Sequence, residues 1–277
     1  MSPTFVVVPQ WQGSLSSRAM RLADGAEAIR GDLPQSATRV VDVPIEAGDA
    51  QDTGIHRFST LLVVRERMEL ALRSAPDWAL TIGGDNGVSL AAVGHAARKH
   101  PDGVALVWFD AHTALHTAES SPSGAFNGMV VRSIGGEGVD GLTLAGDSRV
   151  PFDRVVIAGG RDIDPAEAVV IAHRGIRTLA VDELGDGELL LEAVRATGAS
   201  QVYVHIDLDV LDPSLITGLG DMYPFGLAVE SLTALITALR ANFGLAGATL
   251  AGFAPASPAA ANDDLPSILR IIGALTR

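Results

Sequence analysis

Short apolar runs, many of them rich in β-branched residues, alternate along the chain with longer amphipathic stretches. About eight runs have the length of a strand and are bounded by turn residues, and they lie at 5–8, 39–43, 78–82, 104–109, 155–158, 178–181, 202–206 and 249–253. Most are apolar at every position, which is typical of strands covered on both faces of a parallel sheet. Helical periodicity marks 60–75, 87–99, 186–197 and 229–242. The alternation predicts a doubly wound α/β sheet, which binds ligands beyond the carboxyl ends of its strands.

Size and composition fit one large domain of this class. The 277 residues are 47% hydrophobic, and the mean hydropathy is +0.28, so the chain can bury a large core. No change of composition marks a linker, and we expect a single domain over residues 1–277. An Ala-rich segment at 256–262, with prolines nearby, is predicted to be a loop.

Charge and cysteine content exclude several classes of protein. The 20 Lys and Arg residues are outnumbered by 33 Asp and Glu residues, and the net charge of −13 leaves no basic surface for nucleic acid. The sequence has no Cys, which excludes disulfides, thiolate nucleophiles and zinc–thiolate sites. No apolar run reaches the ~18 residues that a membrane span needs, and no basic segment precedes the first apolar run. We therefore expect a cytoplasmic protein with no nucleic-acid or membrane partner.

Polar clusters follow three of the predicted strands. The first, Gly-Gly-Asp-Asn-Gly at 83–87, has glycines that permit a tight turn and amides that can face a ligand. It lacks the Lys of a phosphate-binding loop and the Gly-x-Gly-x-x-Gly pattern of dinucleotide-binding proteins. Taken alone, it is better interpreted as a strand-to-helix turn with Asp85 as the cap.

The second cluster contains Asp110, His112 and His116, directly after a run too apolar to be anything but buried. Alternate side chains of an extended segment point the same way, so the Asp110 carboxylate and the His112 imidazole can bind one ion. Ligation by His112 and an ordinary core or cap histidine are about equally well supported. His116 alone is better interpreted as a loop histidine.

The third cluster is the strongest, because His205, Asp207 and Asp209 alternate with apolar residues and so share a face. Neighbouring ionised carboxylates on a buried strand end repel one another and are costly to desolvate unless a cation compensates them. A turn cap explains Asp212 well, but it explains Asp207 beside Asp209 poorly. Carboxylates with imidazole and no thiolate favour Mn(II), with Mg(II), Fe(II), Co(II) or Zn(II) as alternatives.

In their order along the chain, these motifs resemble those of the arginase/agmatinase family of ureohydrolases. The matching blocks are Gly-Gly-Asp at 83–85, Asp-Ala-His at 110–112, the loop at 121–129 and the highly specific Asp-x-Asp-x-x-Asp-Pro at 207–213. Segments 8–13 and 159–164 also look like family segments, so the resemblance covers most of the chain. It implies a three-layer α/β/α fold with a parallel sheet of about eight strands. It also implies a dinuclear manganese centre that splits amidine C–N bonds, and commonly a homo-oligomer, a trimer or hexamer.

Several positions that the family uses for chemistry carry another residue type here. Asn86 stands where a His would bind a metal, and Ala114 stands where a second Asp of the Asp-Ala-His-x-Asp block would do so. Asn127 stands where a His near the substrate would move protons, and Gly252 aligns with the Glu that binds the guanidinium group. The resemblance therefore implies weak or no activity on arginine.

In the family, each of the two ions has its own set of protein ligands. The departures at Asn86 and Ala114 both fall in the set of one ion and remove half of its protein ligands. The family's ligands for the other ion are all present: Asp110, His112, Asp207 and Asp209. We infer a mononuclear centre or an unequal pair of ions, with Asn86 or His205 as a weak substitute ligand.

The resemblance also suggests roles for the remaining site residues. Asp110 and His116 are assigned as catalytic residues, His116 because it is the spare imidazole close to the Asp-Ala-His block. Ser123 and Asn127, in the loop at 121–129, are assigned to substrate binding. The substrate is expected to be a small guanidino or amidino compound, or a related amide, because the surviving ligand set is similar to that of the mononuclear deacetylase branch of this fold.

Several interpretations remain open at this point. One is a metal-dependent hydrolase with an altered substrate, and another is an inactive family member with a binding or regulatory role. A third is that a replacement was introduced to inactivate the enzyme, and Ala114 is the strongest candidate for this. An α/β domain without any metal is the least favoured, because its clustered carboxylates would stay uncompensated.

Overall fold

The computed structural model describes residues 3–75 and 77–277, and its centre is a single sheet of eight parallel strands. The strands are β1 (Thr4–Val8), β2 (Thr38–Val40), β3 (Ala79–Gly83), β4 (Val104–Phe109), β5 (Val155–Ala158), β6 (Arg177–Leu179), β7 (Gln201–Asp207) and β8 (Gly244–Ala251). Their spatial order is β2-β1-β3-β8-β7-β4-β5-β6. The predicted parallel α/β sheet is confirmed.

Helices cover both faces of the sheet. They are α1 (Met20–Arg30), α2 (Phe58–Arg73), α3 (Ser89–Lys99), α4 (Val130–Ile134), α5 (Pro165–Arg174), α6 (Glu188–Ala196), α7 (Val229–Asn242) and α8 (Pro258–Thr276). Because side chains alternate along a strand, Val107 and Phe109 of β4 pack with α1, α6, α7 and α8, whereas Leu106 and Trp108 pack with α2, α3 and α4. This is the predicted three-layer α/β/α arrangement. Among the helices described, none combines the length and apolar character needed to cross a bilayer.

The segment at 256–262 was predicted to be a loop, and this prediction is wrong from Pro258 onward. The Ser257 Oγ accepts a hydrogen bond from the Ala260 backbone N–H at 3.2 Å and caps α8, and Pro258 occupies its first turn. Ala has the highest helix propensity and Ser-Pro is a favourable helix start. The same residues that indicated a loop therefore begin the longest helix described.

The order of the strands places all three sequence clusters at one edge of the sheet. Strands β3, β8, β7 and β4 are consecutive neighbours, and Phe109 of β4 pairs in register with Ile206 of β7. The residues that follow these strands, Asp110 and Asp207 among them, must therefore lie close together. This edge carries the candidate site.

Helix α1 approaches the loop after β8 so closely that only glycine fits between them. A Cβ at Gly25 would lie 2.0 Å from the backbone oxygen of Phe253. We expect Gly25→Ala to lower the free energy of unfolding by about 1–3 kcal/mol through overpacking, although alanine favours the helix. Urea denaturation measures the change. Asp24→Ala, on the exposed side of α1, is the matched control, and equal stability of the two variants would contradict the close approach.

Candidate metal centre

Asp110, at the end of β4, is the fully buried centre of the candidate site. Its Oδ1 accepts a hydrogen bond from the His112 backbone N–H at 2.8 Å and lies 3.2 Å from His112 Nδ1. Its Oδ2 accepts hydrogen bonds from Asn86 Nδ2 at 3.0 Å and from Trp108 Nε1 at 2.9 Å. Both oxygens therefore face nitrogen donors.

Asp209 completes a tight group with Asp110 and His112. The Asp209 Oδ2 lies 2.9 Å from His112 Nδ1, and its Oδ1 accepts a hydrogen bond from the Ala111 backbone N–H at 2.9 Å. Asp207 adjoins the group, because its Oδ1 accepts a hydrogen bond from the Asp209 backbone N–H at 2.9 Å. One side-chain donor atom from each of Asp110, His112 and Asp209 lies within 4.8 Å of the others, as ligands of one ion would.

The electrostatics of this group call for a cation. Burial raises the pKa of Asp110 to about 7, with the charge of Asp209 adding to the effect, and burial likewise raises the pKa of Asp207 well above its usual range. Burial acts to raise the pKa of Asp209 too, but the hydrogen bond and charge of His112 together with the Ala111 backbone N–H outweigh burial and hold that pKa below normal. Burial acts to lower the pKa of His112, but the carboxylates of Asp110 and Asp209 raise it. A divalent ion would compensate all three carboxylates and leave His112 neutral.

Two orphaned polar atoms lie beside Asp110 on the side of α3. In the described part of the chain, Asn86 Oδ1 and His205 Nε2 are buried without a hydrogen-bond partner. His205 is fully buried and stacks on Trp108 with 3.4 Å between ring centroids, and its Nε2 lies 3.9 Å from Asp110 Oδ2. Burial lowers the pKa of His205 to about 3, so the ring is neutral. Orphaned buried polar atoms are rare, and a neutral imidazole aimed at a carboxylate fits a place for a cation.

A cavity of about 430 Å³ opens from this group beyond the strand ends. Asn86, His112, Asp207 and Asp209 line its floor, and Ser123 and Asn127, the predicted substrate-binding residues, also line it. His205 does not line the cavity. It is therefore not placed to contact a substrate in the cavity.

His116 lines the same cavity within a separate cluster. Its Nε2 lies 3.0 Å from Asp164 Oδ2, and its Nδ1 lies 3.2 Å from Ser120 Oγ. Asp164 caps α5, and its Oδ1 accepts a hydrogen bond from the Glu167 backbone N–H at 2.9 Å. The structure thus groups His116 with Asp164 and Glu167, and not with Asp110, His112 and Asp209.

Comparison with known proteins identifies the family. A model of the arginase family matches residues 15–264. The chain belongs to the arginase family. Arginase from Bacillus caldovelox is 32% identical over 220 residues, which are 73% of this chain and 72% of that one. Arginase from Staphylococcus aureus (strain MRSA252) is 28% identical over 207 residues, 72% of this chain and 67% of that one, so the match spans about two thirds of the S. aureus protein.

The fold agrees with this assignment. The crystal structure of Entamoeba histolytica arginase has a TM-score of 0.84 to this chain at 18% identity, and the match covers 99% of both chains. The resemblance found in the motifs is confirmed at the level of family and fold.

The geometry adds acidic residues that the motif analysis of this arginase-family chain missed. Asp162, Asp164 and Glu167 all line the cavity. A signal was present, because Asp162 and Asp164 alternate with Ile163 just beyond β5, which is the pattern that pointed to Asp207 and Asp209. Arg18, which also lines the cavity, precedes α1 and carried no such pattern.

At two positions where this chain departs from the family pattern, the backbone conformation shows which side chains fit. Ala114 is buried with φ +51, a conformation that Asp and Asn adopt more readily than Ala. Gly252 has φ +88, and a Cβ there would lie 2.1 Å from Asp207 Oδ1. An Asp side chain is therefore compatible with position 114, whereas a Glu at 252 would collide with Asp207.

Arg161 ties the loops around the centre together. Its guanidinium donates hydrogen bonds to the backbone oxygens of Asp209 at 2.7 Å and Tyr223 at 3.0 Å. Further bonds reach the backbone oxygens of Gly159 at 3.0 Å and Val210 at 3.3 Å. The Tyr223 ring packs edge-on against His112, with 4.7 Å between centroids. Arg161 thus holds both Asp209 and the residue that packs on His112.

We expect Arg161→Ala to weaken Mn(II) binding about tenfold, because hydrogen bonds from a charged donor contribute roughly 1.5–3 kcal/mol. Arg161→Lys keeps the charge but cannot make the same bonds, so it should restore only part of the affinity. Isothermal titration with Mn(II) measures the effect. Arg177→Ala, exposed on β6, is the control. A loss of thermal stability with unchanged Mn(II) affinity would show that Arg161 does not position the ligands.

Proposed function

We propose that this arginase-family chain is a metal-dependent hydrolase that cleaves a C–N bond of a small guanidino or amidino compound. The observation that carries the proposal is the buried group of Asp110, His112 and Asp209, with Asp207 beside it, in the floor of a cavity at the strand ends. Family membership supports it independently.

The ion is assigned to Asp110, His112, Asp207 and Asp209, and Mn(II) is favoured over Fe(II), Co(II) or Zn(II) for this set of carboxylates with one imidazole. When bound, such an ion supplies Lewis acidity and activates water for hydrolysis near neutral pH. One or two ions are consistent with the donor set. Asn86 and His205 are the candidates for supporting a second, weaker position.

His205 suits that supporting role through its tautomer. Its Nδ1 lies 2.8 Å from Ser89 Oγ, and a proton on Nδ1 donated to this hydroxyl leaves the Nε2 lone pair free. The lone pair then faces the space beside Asp110 Oδ2. This is the arrangement of a metal-ligating histidine held by a second hydrogen bond.

The chain's own residues bind and orient the substrate. The floor, where Asp207 lines the cavity and three carboxylates carry more charge than one divalent ion neutralises, attracts the cationic amidinium group. Ser123 and Asn127 offer a hydroxyl and an amide for hydrogen bonds to the rest of the substrate. His116, oriented by Asp164, is assigned the transfer of a proton to the departing nitrogen.

Arginine itself is expected to be a poor substrate. No carboxylate can extend from Gly252, where Asp207 already fills the space, and Asn127 cannot move a proton as a histidine can. The proposal is therefore a hydrolase with an altered substrate. We further propose that it works in the cytoplasm as a homo-oligomer, a trimer or hexamer, as the family resemblance implies.

An inactive family member with a binding or regulatory role is the second candidate. It is favoured by the hydrogen bonds of Asn86 and Trp108 to Asp110 Oδ2, which stabilise this carboxylate without an ion. Metal content and activity distinguish the two candidates.

After saturation with Mn(II) and desalting, we expect about one ion per chain and a raised melting temperature, since an ion that binds only the folded state stabilises it. Asp209→Asn should lose both effects, and Asp182→Asn, exposed beyond β6, should keep them. Elemental analysis and thermal unfolding give these results. Release of urea or an analogous fragment from a panel of guanidino compounds should follow metal content. Protein that retains no metal would overturn the proposal, and bound metal without hydrolysis would favour the inactive alternative.

Restoring the family's residues should rebuild the second ion position. We expect the triple variant Asn86→His, Ala114→Asp and Asn127→His to raise Mn(II) content to about two ions per chain, because carboxylate and imidazole ligands replace an amide and a methyl group. The left-handed φ of Ala114 accommodates Asp. Electron paramagnetic resonance reports coupling between the ions, and elemental analysis counts them. Ala114→Asn, which fits the backbone but adds no charge, is the control, and unchanged metal content in the triple variant would contradict the assignment.

A further inference from the structure

The cavity walls differ in polarity from its acidic floor. The floor carries Asp207 and Asp209, two of the assigned ion ligands, and with Asp110 the three carboxylates carry more charge than one divalent ion neutralises. The mouth carries Arg18, the only Arg or Lys among the lining residues described. A ligand that fills the cavity therefore meets negative charge at one end and a guanidinium at the other.

Arg18 is exposed just before α1 and is available to a ligand. Among the described residues, no carboxylate forms an ion pair with it. Its backbone N–H donates to Ser16 Oγ at 3.2 Å, which ties the segment that carries it. An unpaired guanidinium at a cavity mouth is suited to bind a carboxylate.

Serine hydroxyls near the mouth reinforce this preference. Ser121 Oγ and Ser123 Oγ accept backbone N–H bonds at 3.0 and 3.2 Å, and Ser14 Oγ accepts one at 3.2 Å. All of these serines, with Ser16, line the cavity. Each hydroxyl that accepts a backbone bond keeps one hydrogen to donate, and one hydroxyl of the pair Ser121 and Ser123 uses it for the other at 3.5 Å. The wall is therefore rich in donors that suit an anionic group.

Two acidic residues on the wall, Asp164 and Glu167, already have partners. Asp164 Oδ1 accepts a hydrogen bond from the Glu167 backbone N–H, and its Oδ2 lies 3.0 Å from His116 Nε2. Glu167 accepts from Thr113 Oγ1 at 2.5 Å, from the Leu115 backbone N–H at 3.1 Å and from the Asp164 backbone N–H at 3.3 Å. An ammonium group on the substrate would have to compete with His116 for Asp164.

We propose that the substrate is a guanidino or amidino carboxylic acid without an ammonium group next to its carboxylate, and that Arg18 binds this carboxylate. The inference rests on the proposed function, because the acidic floor is assigned to the amidinium end. Asp162 and Asp221, exposed acids that also line the cavity, are the groups that would favour an ammonium end instead.

Three probes that differ mainly at the far end test the proposal: 4-guanidinobutyrate, butylguanidine and agmatine. Their binding to Mn(II)-loaded protein is measured by isothermal titration. We expect 4-guanidinobutyrate to bind about five- to tenfold more tightly than butylguanidine, the range for an exposed ion pair with added hydrogen bonds. Agmatine should bind no more tightly than butylguanidine. The advantage of the carboxylate should shrink as salt is added.

Variants assign the effect to named residues. Arg18→Gln should remove the advantage of 4-guanidinobutyrate while leaving butylguanidine binding unchanged. Arg21→Gln, three residues further along in the first turn of α1 and outside the cavity lining, should keep the advantage. His116→Asn frees Asp164 and should improve agmatine binding.

The outcomes separate this inference from the proposed function. If butylguanidine binds but 4-guanidinobutyrate binds no better, or agmatine binds best, the carboxylate assignment is wrong and the guanidinium-binding floor stands. If the carboxylate advantage survives Arg18→Gln, Arg18 is not its cause and the assignment is likewise wrong. If none of the three probes binds, the amidinium assignment of the floor fails and this inference fails with it.

Discussion

The burial of three carboxylates at the ends of two neighbouring strands is the constraint on which this site depends. Strands β4 and β7 pair in register, so Asp110 and Asp207 emerge at the same edge of the sheet. Burial and mutual repulsion raise the pKa of both groups. The fold compensates with His112, with backbone N–H donors and with Arg161, which fixes the adjoining loops. A divalent ion would supply the positive charge that these buried carboxylates still lack.

The polarity of the cavity follows from how its walls are built. The floor consists of strand ends, where acidic side chains cluster, whereas the mouth consists of the serine-rich loop at 121–129 and the segment before α1. Between floor and mouth, the carboxylates of Asp164 and Glu167 are used in capping α5. The Asp164 side chain accepts a hydrogen bond from the Glu167 backbone N–H, and the Glu167 side chain accepts one from the Asp164 backbone N–H. What the cavity offers to a ligand is therefore set as much by which carboxylates are engaged as by how many are present.

The strand positions and the clustering of carboxylates at the strand ends were predictable because they leave local signals. Continuous apolar runs mark strands buried on both faces, and the alternation of Asp207 with Asp209 marks one face of a strand end. The partner of His116 was not predictable, because Asp164 lies far away in sequence and meets it only through the sheet order. Arg18 reaches the mouth through the packing of α1, and Gly252 makes room for Asp207. Such contacts depend on tertiary structure.

The start of α8 at Pro258 had a local signal, the Ser-Pro pair followed by alanines, but the prediction of a loop there was wrong.

Asn86 changes the hydrogen bonding of the Asp110 carboxylate as well as the number of candidate metal ligands. A histidine at this position would offer a lone pair to an ion, but the asparagine offers an N–H to Asp110 Oδ2, which Trp108 also contacts. Those donors stabilise the negative charge on Asp110 Oδ2 without an ion. Asp110 Oδ1 remains directed toward His112 and the surviving group. The exchange thus fits the proposed centre with one ordered ion position, and among the described residues it leaves Asn86 Oδ1 and His205 Nε2 buried without a hydrogen-bond partner.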